Sequence, residues 1–169
     1  MNKKEEEEHP EEEPWVNPKN LTRLNKDIAE LKKADFDQTG IRFDDCRDDA
    51  RVINVSLKSS NDSIYYGGVF HIRIAIPGEF PFEPPQMRMK TKIYHCNINE
   101  EMGFICVNIL TKSWAPTNSL LNALVAIRVL LDNPNPIDFL DYDKALEYQN
   151  NINEYTRKAK EYVKIYAQE

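Results

Sequence analysis

Cys106 stands in the run Tyr94 to Pro116, YHCNINEEMGFICVNILTKSWAP, among histidine, asparagine, tryptophan and proline. A sulfur nucleophile usually owes its reactivity to an imidazole, a helix N-terminus or a metal, each of which favours the thiolate. The residues beside Cys106, namely Phe104, Ile105 and Val107, supply none of these. A papain-like protease would need a histidine base, and outside the N-terminal stretch the chain offers His71 and His95 alone. An unprimed thiol instead suits exchange with a carbonyl that arrives already activated. One thioester is traded for another, and the product waits for a stronger nucleophile such as an amine. That is the chemistry of a carrier.

The same run is similar to the active-site signature of the ubiquitin-conjugating enzyme family, the second enzymes of the ubiquitin cascade. Tyr94, His95 and Asn97 resemble its Tyr-His-Pro-Asn motif, Cys106 its thioester cysteine, and Ser113-Trp114-Ala115-Pro116 its Trp-x-Pro loop. Upstream, Tyr65-Tyr66-Gly67-Gly68-Val69-Phe70 and Phe80-Pro81-Phe82-Glu83-Pro84-Pro85 resemble two further family elements, and Asn133-Pro134-Asn135-Pro136 resembles its Pro-Asn-Pro turn. These elements span roughly residues 18 to 168.

The resemblance implies roles for particular residues. Cys106 would take the modifier from an activating enzyme. Asn97 would either donate to the oxyanion that forms when an amine attacks the thioester or brace the active-site loop. Asp138 matches the family's gate acid, which orients the lysine and accepts its proton, although Asp132 and Asp141 lie close in sequence. His95 would order the loop. Ligase docking, to RING or HECT types, would use Arg23, Lys26, Phe82 and Pro116; an apolar Phe82 between prolines is costly to expose without a partner. No bound cofactor is implied, because ATP and magnesium are used upstream by the activating enzyme, and no phosphate-cradling glycine loop stands out. Short matches at Arg23 to Ile28, Cys106 to Leu110 and Gln149 to Asn151 are also similar to the conjugating enzyme for the cullin modifier, so neddylation is the alternative to ubiquitin. A catalytically silent module of the same fold would typically lack the cysteine. The chain departs from the pattern at Cys96, where proline is usual, at Phe139, which replaces a frequent proline, and between Asn97 and Cys106, which lie one residue further apart.

The elements that position these residues follow from periodicity. Asn17-Pro18 reads as a cap and first helical residue, and Leu21, Leu24, Ile28 and Leu31 then predict a helix from about 18 to 33. Phe70, Ile72, Ile74 and Ile76 alternate with His71, Arg73 and Ala75. With Val55 and Leu57 before them and Met87 and Met89 after, they predict an antiparallel meander of about four strands. Leu120 to Leu131, apolar on nearly every face, predicts a buried central helix capped by Asn118 or Ser119. Pro134 and Pro136 stop it, and helices from about Asp143 complete an α+β chain, for which the family resemblance implies the ubiquitin-conjugating (UBC) fold. Residues 92 to 119 follow neither period and predict a long structured loop.

Composition sets the outer bounds. The chain has 169 residues and a formal charge of −6, which fits one core domain, residues 17–169, behind an acidic tail, residues 1–16. Residues 1 to 13 hold seven glutamates and two lysines, so without them the charge moves from −6 to −1. The tail has no apolar residue after Met1 in that stretch and predicts disorder. The balance argues against nucleic acid as partner. Cys46, Cys96 and Cys106 lack the spacing of a zinc ribbon, so no metal is expected. Neither a signal peptide nor an apolar run of about 20 residues is evident, which predicts no membrane partner and a cytoplasmic or nuclear setting. The acidic neighbours of Cys46 predict a blunted thiol there.

Overall fold

The computed structural model describes residues 18–47 and 50–169. The acidic tail and the cap expected of Asn17 therefore lie outside the described residues. Helix α1 runs Leu21–Lys33 and is capped by Asn20, whose side chain accepts the Arg23 amide. It begins later than Pro18 predicts because the entering chain is bound elsewhere: the Lys19 amide donates to the Gly78 carbonyl at 3.0 Å. Leu24, Ile28 and Leu31 are buried and Leu21 is not. A single turn, α2 (Phe36–Thr39), then leads into the sheet; Asp35 caps it and Gly40 closes it in the left-handed region.

Four strands, β1 (Ile41–Arg47), β2 (Val52–Lys58), β3 (Val69–Ala75) and β4 (Gln86–Met89), form the antiparallel meander in the order β1-β2-β3-β4. Val55 faces Ile72, and Ile74 faces Met87. The alternation in β3 survives as buried Phe70, Ile72 and Ile74 between more exposed neighbours, each such burial being worth about 1.5–3 kcal/mol.

Helix α3 (Leu120–Asp132) joins the same core through Leu120, Ala123, Leu124, Ile127 and Leu131. A capping box of Ser119 and Asn122 starts it. All-round burial, expected from its composition, is not what forms: Val125 and Val129 are 47% and 57% exposed, so one side of the helix stays uncovered. Helices α4 (Tyr142–Asn150) and α5 (Ile152–Tyr166) finish the chain, capped by Asp141 and Asn151.

The stretch 92–119 is more ordered than a loop without period would be. Ile98 pairs with Ile105, Phe104 bridges to Arg88 of β4, and Asn108–Leu110 makes a 3₁₀ turn. Gly103, at φ +74, closes the 98–105 hairpin where a Cβ would fall 2.0 Å from the Met89 carbonyl oxygen. Only glycine fits that approach.

Candidate active site

A buried polar seam carries the site. His95 is fully buried; its Nδ1 accepts the Asn97 amide at 3.0 Å, which leaves the proton on Nε2, 3.0 Å from the Leu130 carbonyl. The ring stacks on Tyr65, and burial pushes its pKa down to about 4. With both nitrogens engaged, His95 holds the chain in place and has no lone pair to offer Cys106. Tyr65 donates to the Tyr94 carbonyl at 2.5 Å, and its hydroxyl meets that of Tyr155 at 3.0 Å. Tyr155 in turn accepts the Cys96 amide at 3.1 Å. Cys96, in the proline position, is itself buried, which pushes its thiol up, and its carbonyl accepts the Leu140 and Asp141 amides at 2.9 and 3.2 Å.

Asn97 ties this seam to the backbone of Cys106. Its Nδ2 donates to the Asn135 carbonyl at 2.8 Å and the Asp138 carbonyl at 2.9 Å, and its Oδ1 accepts the Asn135 amide at 2.8 Å. Its own carbonyl accepts the Cys106 amide at 2.9 Å. The side chain is fully buried, so both amide protons are already committed to the 135–138 turn. Asn135 completes that turn by accepting the Ile137 amide on Oδ1 at 3.0 Å.

The three neighbouring aspartates separate cleanly. Asp132 accepts the Ser60 amide at 3.1 Å, and Asp141 caps α4 at the Lys144 amide, also at 3.1 Å. Asp138 is exposed, and its carboxylate has no hydrogen-bond or ion-pair partner among the described residues. Cys106 is half-buried. Cys46 is exposed on β1, and its thiol is pushed up chiefly by desolvation, which Lys32 opposes and Asp45 reinforces. The acidic field is thus the lesser cause there, and Asp48 and Asp49 lie outside the described residues.

The four positions expected to dock a ligase are not used alike. Trp114 donates to the Pro81 carbonyl at 2.8 Å and packs near Phe80, which pins the 80–84 and 114–118 loops together. Arg23 is turned inward, donating to the carbonyls of Pro116 and Asn118 and pairing with buried Asp27 at 3.0 Å. Asp27 also accepts the Leu120 amide at the start of α3. Lys26 and Pro116 are exposed, and Phe82 is 73% exposed at its loop tip, so core packing does not account for it.

A sequence model of ubiquitin-conjugating enzymes matches residues 23–163. The chain belongs to the ubiquitin-conjugating enzyme family. It is 36% identical over 145 residues to ubiquitin-conjugating enzyme E2 13 of Schizosaccharomyces pombe, covering 86% of this chain and 96% of that protein. To ubiquitin-conjugating enzyme E2 1 of the same yeast it is 33% identical over 145 residues, covering 86% of this chain and 66% of that protein. Among solved structures, the E2 domain of a Toxoplasma gondii ubiquitin conjugating enzyme matches with a TM-score of 0.79 at 30% identity, over 88% of this chain and 99% of that one. No described helix is long and apolar enough to cross a membrane.

Within this ubiquitin-conjugating domain, sequence reasoning missed a second set of polar ties. Glu100, in the segment that holds the extra residue, accepts Lys144 Nζ at 2.8 Å and the Tyr162 hydroxyl at 2.7 Å, and it pairs with Lys92 at 3.3 Å. Burial alone would raise its carboxyl, but the hydrogen bonds from Lys144 and Tyr162 outweigh that and hold it below the usual value. The longer loop is thereby fastened to α4 and α5. No residue spacing signalled these ties, since the partners come from remote helices; Asn135 was findable from its Asx-turn position between prolines.

Proposed function

We propose that the protein accepts ubiquitin from an activating enzyme as a thioester on Cys106 and passes it to a substrate lysine or to a ligase cysteine. In the first step the Cys106 sulfur attacks the activating enzyme's thioester, a new C–S bond forms, the old C–S bond breaks, and the activating enzyme's sulfur leaves with the electron pair and takes up the proton that Cys106 gives up through water. In the second, a lysine amine attacks the same carbonyl, the C–N bond forms and the C–S bond breaks. Cys106 departs as thiolate, and the amine proton passes to Asp138 or to water. Ubiquitin as the modifier is supported by the relatives named above.

The observation that carries this reading is the Asn97 connection, which links the Cys106 backbone to the turn presenting the unpaired Asp138 carboxylate. Asn97 acts as a positioning residue; an oxyanion role would require one of its two donated bonds to open. Incubation with activating enzyme, Mg-ATP and ubiquitin should give a thiol-sensitive adduct on a gel, and Cys106→Ser should give a thiol-resistant oxyester. An adduct with the cullin modifier alone would change the modifier. Charging by neither would overturn the reading.

A further inference from the structure

Apolar side chains crowd the turn that carries Asp138. Ile137 is 80% exposed, Tyr142 61%, and Phe139 and Leu140 are more than two-fifths exposed. The Phe139 and Tyr142 rings pack edge to face at 5.6 Å. Scattered exposed apolar residues need no explanation, but four within six positions form a patch of the kind that marks a binding surface. Slack in the backbone does not explain them. The carbonyls of Asn135 and Asp138 are held by Asn97, and the amides of Leu140 and Asp141 by the Cys96 carbonyl. The fold fixes this turn with its apolar side chains outward.

The chemistry of the patch specifies its occupant. An exposed carboxylate stands among the apolar groups, and it complements a cation whose neighbours are apolar. A lysine flanked by bulky apolar residues meets both conditions, because its ammonium faces Asp138 while the flanking side chains cover Ile137, Phe139 and Tyr142. We propose that this rim selects acceptor lysines by their sequence context, favouring those with large apolar neighbours. The proposal rests on the reading of Cys106 as the thioester carrier and adds the class of substrate.

Single-turnover discharge of the ubiquitin-charged protein onto lysine peptides tests it. A peptide with leucine and phenylalanine around the lysine should discharge about fivefold faster than one with glycines, the effect of removing roughly 40 Å² of apolar surface from water. In Ile137→Ser/Phe139→Ser the ratio of the two rates should fall to near one. Equal rates in the native chain, or a ratio unchanged in the variant, would overturn the proposal. A second reading does not depend on charging: titrating the uncharged full chain with the same peptides should shift the Ile137 methyl resonance with the apolar peptide and leave it unmoved with the glycine one. No shift, or a shift that instead tracks protein concentration because a second copy covers the rim, would equally overturn it. Failure to charge with a normal methyl response would sink the carrier reading and leave the rim's preference standing.

Discussion

The segment from Tyr94 to Asn97 and the rim from Ile137 to Tyr142 lie on the two sides of one set of hydrogen bonds, and they use their side chains in opposite ways. On the first side His95, Cys96 and Asn97 are buried, with the His95 and Asn97 side chains turned onto neighbouring backbone and the Cys96 thiol onto Asn97 Oδ1. On the second, backbone groups make the bonds while Ile137, Asp138, Phe139 and Tyr142 face solvent. The lesson is a separation of duties: the buried side sets where the thiol and the turn sit, and the exposed side meets whatever arrives. Substitutions on the buried side should therefore change stability first, and those on the exposed side should change turnover alone.

The largest effect is expected at Asn97. Asn97→Ala removes a buried amide and strands the Asn135 amide and two carbonyls, which should lower unfolding free energy by about 3 kcal/mol or more in a urea titration. A loss below about 1 kcal/mol would break the contrast at its hinge. Acid should produce a similar loss through His95. The unfolded chain takes up that proton near 6.5 and the folded chain near about 4, so the unfolded state binds more protons as pH falls. The stability contribution is present above pH 6.5 and disappears towards pH 4, on the order of 3 kcal/mol. Glu100, held low, acts in the same direction at the acid end. Melting temperature against pH for the native chain and His95→Gln checks this, the variant showing the shallower decline.

Arg23 sits between the two regimes. Because its guanidinium ties α1 to the 116–118 loop, Arg23→Ala should cost about 1–2 kcal/mol as well as any ligase response. The smallest stability effects belong to the exposed groups: Phe82→Ala and Asp138→Asn should each lie within about 0.5 kcal/mol of the native chain. Their consequences should appear in transfer. Asp138→Asn should slow discharge onto lysine by about tenfold or more, and Phe82→Ala should reduce stimulation by a ligase while leaving unassisted discharge in place.

Much of this was legible in the sequence, and what escaped has a common physical cause. Period-two alternation in Val69–Ala75 reports a sheet with one buried face, so β3 could be read residue by residue. Composition misled at α3, because Val125 and Val129 make the helix look buried all round although one side is open. At the start of α1, Pro18 is a strong local signal, whereas the bond from Lys19 to Gly78 that overrides it joins residues far apart in sequence. The site divides in the same way. Cys106, Asn97 and Asp138 could be named from motif types, but the pairing of Asn97 with Asn135 and Asp138 spans 38 and 41 positions. Nothing local records it. The ties of Arg23 are equally silent in the sequence, since its carbonyl partners are brought to it only by the fold.

The central claim is that Cys106, held by the buried brace and free of a base, carries the modifier. The most direct measurement compares charging by activating enzyme and Mg-ATP in two variants, with intact-mass detection: one keeps Cys106 alone through Cys46→Ser and Cys96→Ala, and the other loses it through Cys106→Ala. The account predicts that the first charges to the native extent with a single thiol-labile modifier and that the second does not charge. Charging of the Cys106→Ala chain through Cys46 or Cys96, or an uncharged but folded first variant, would contradict it.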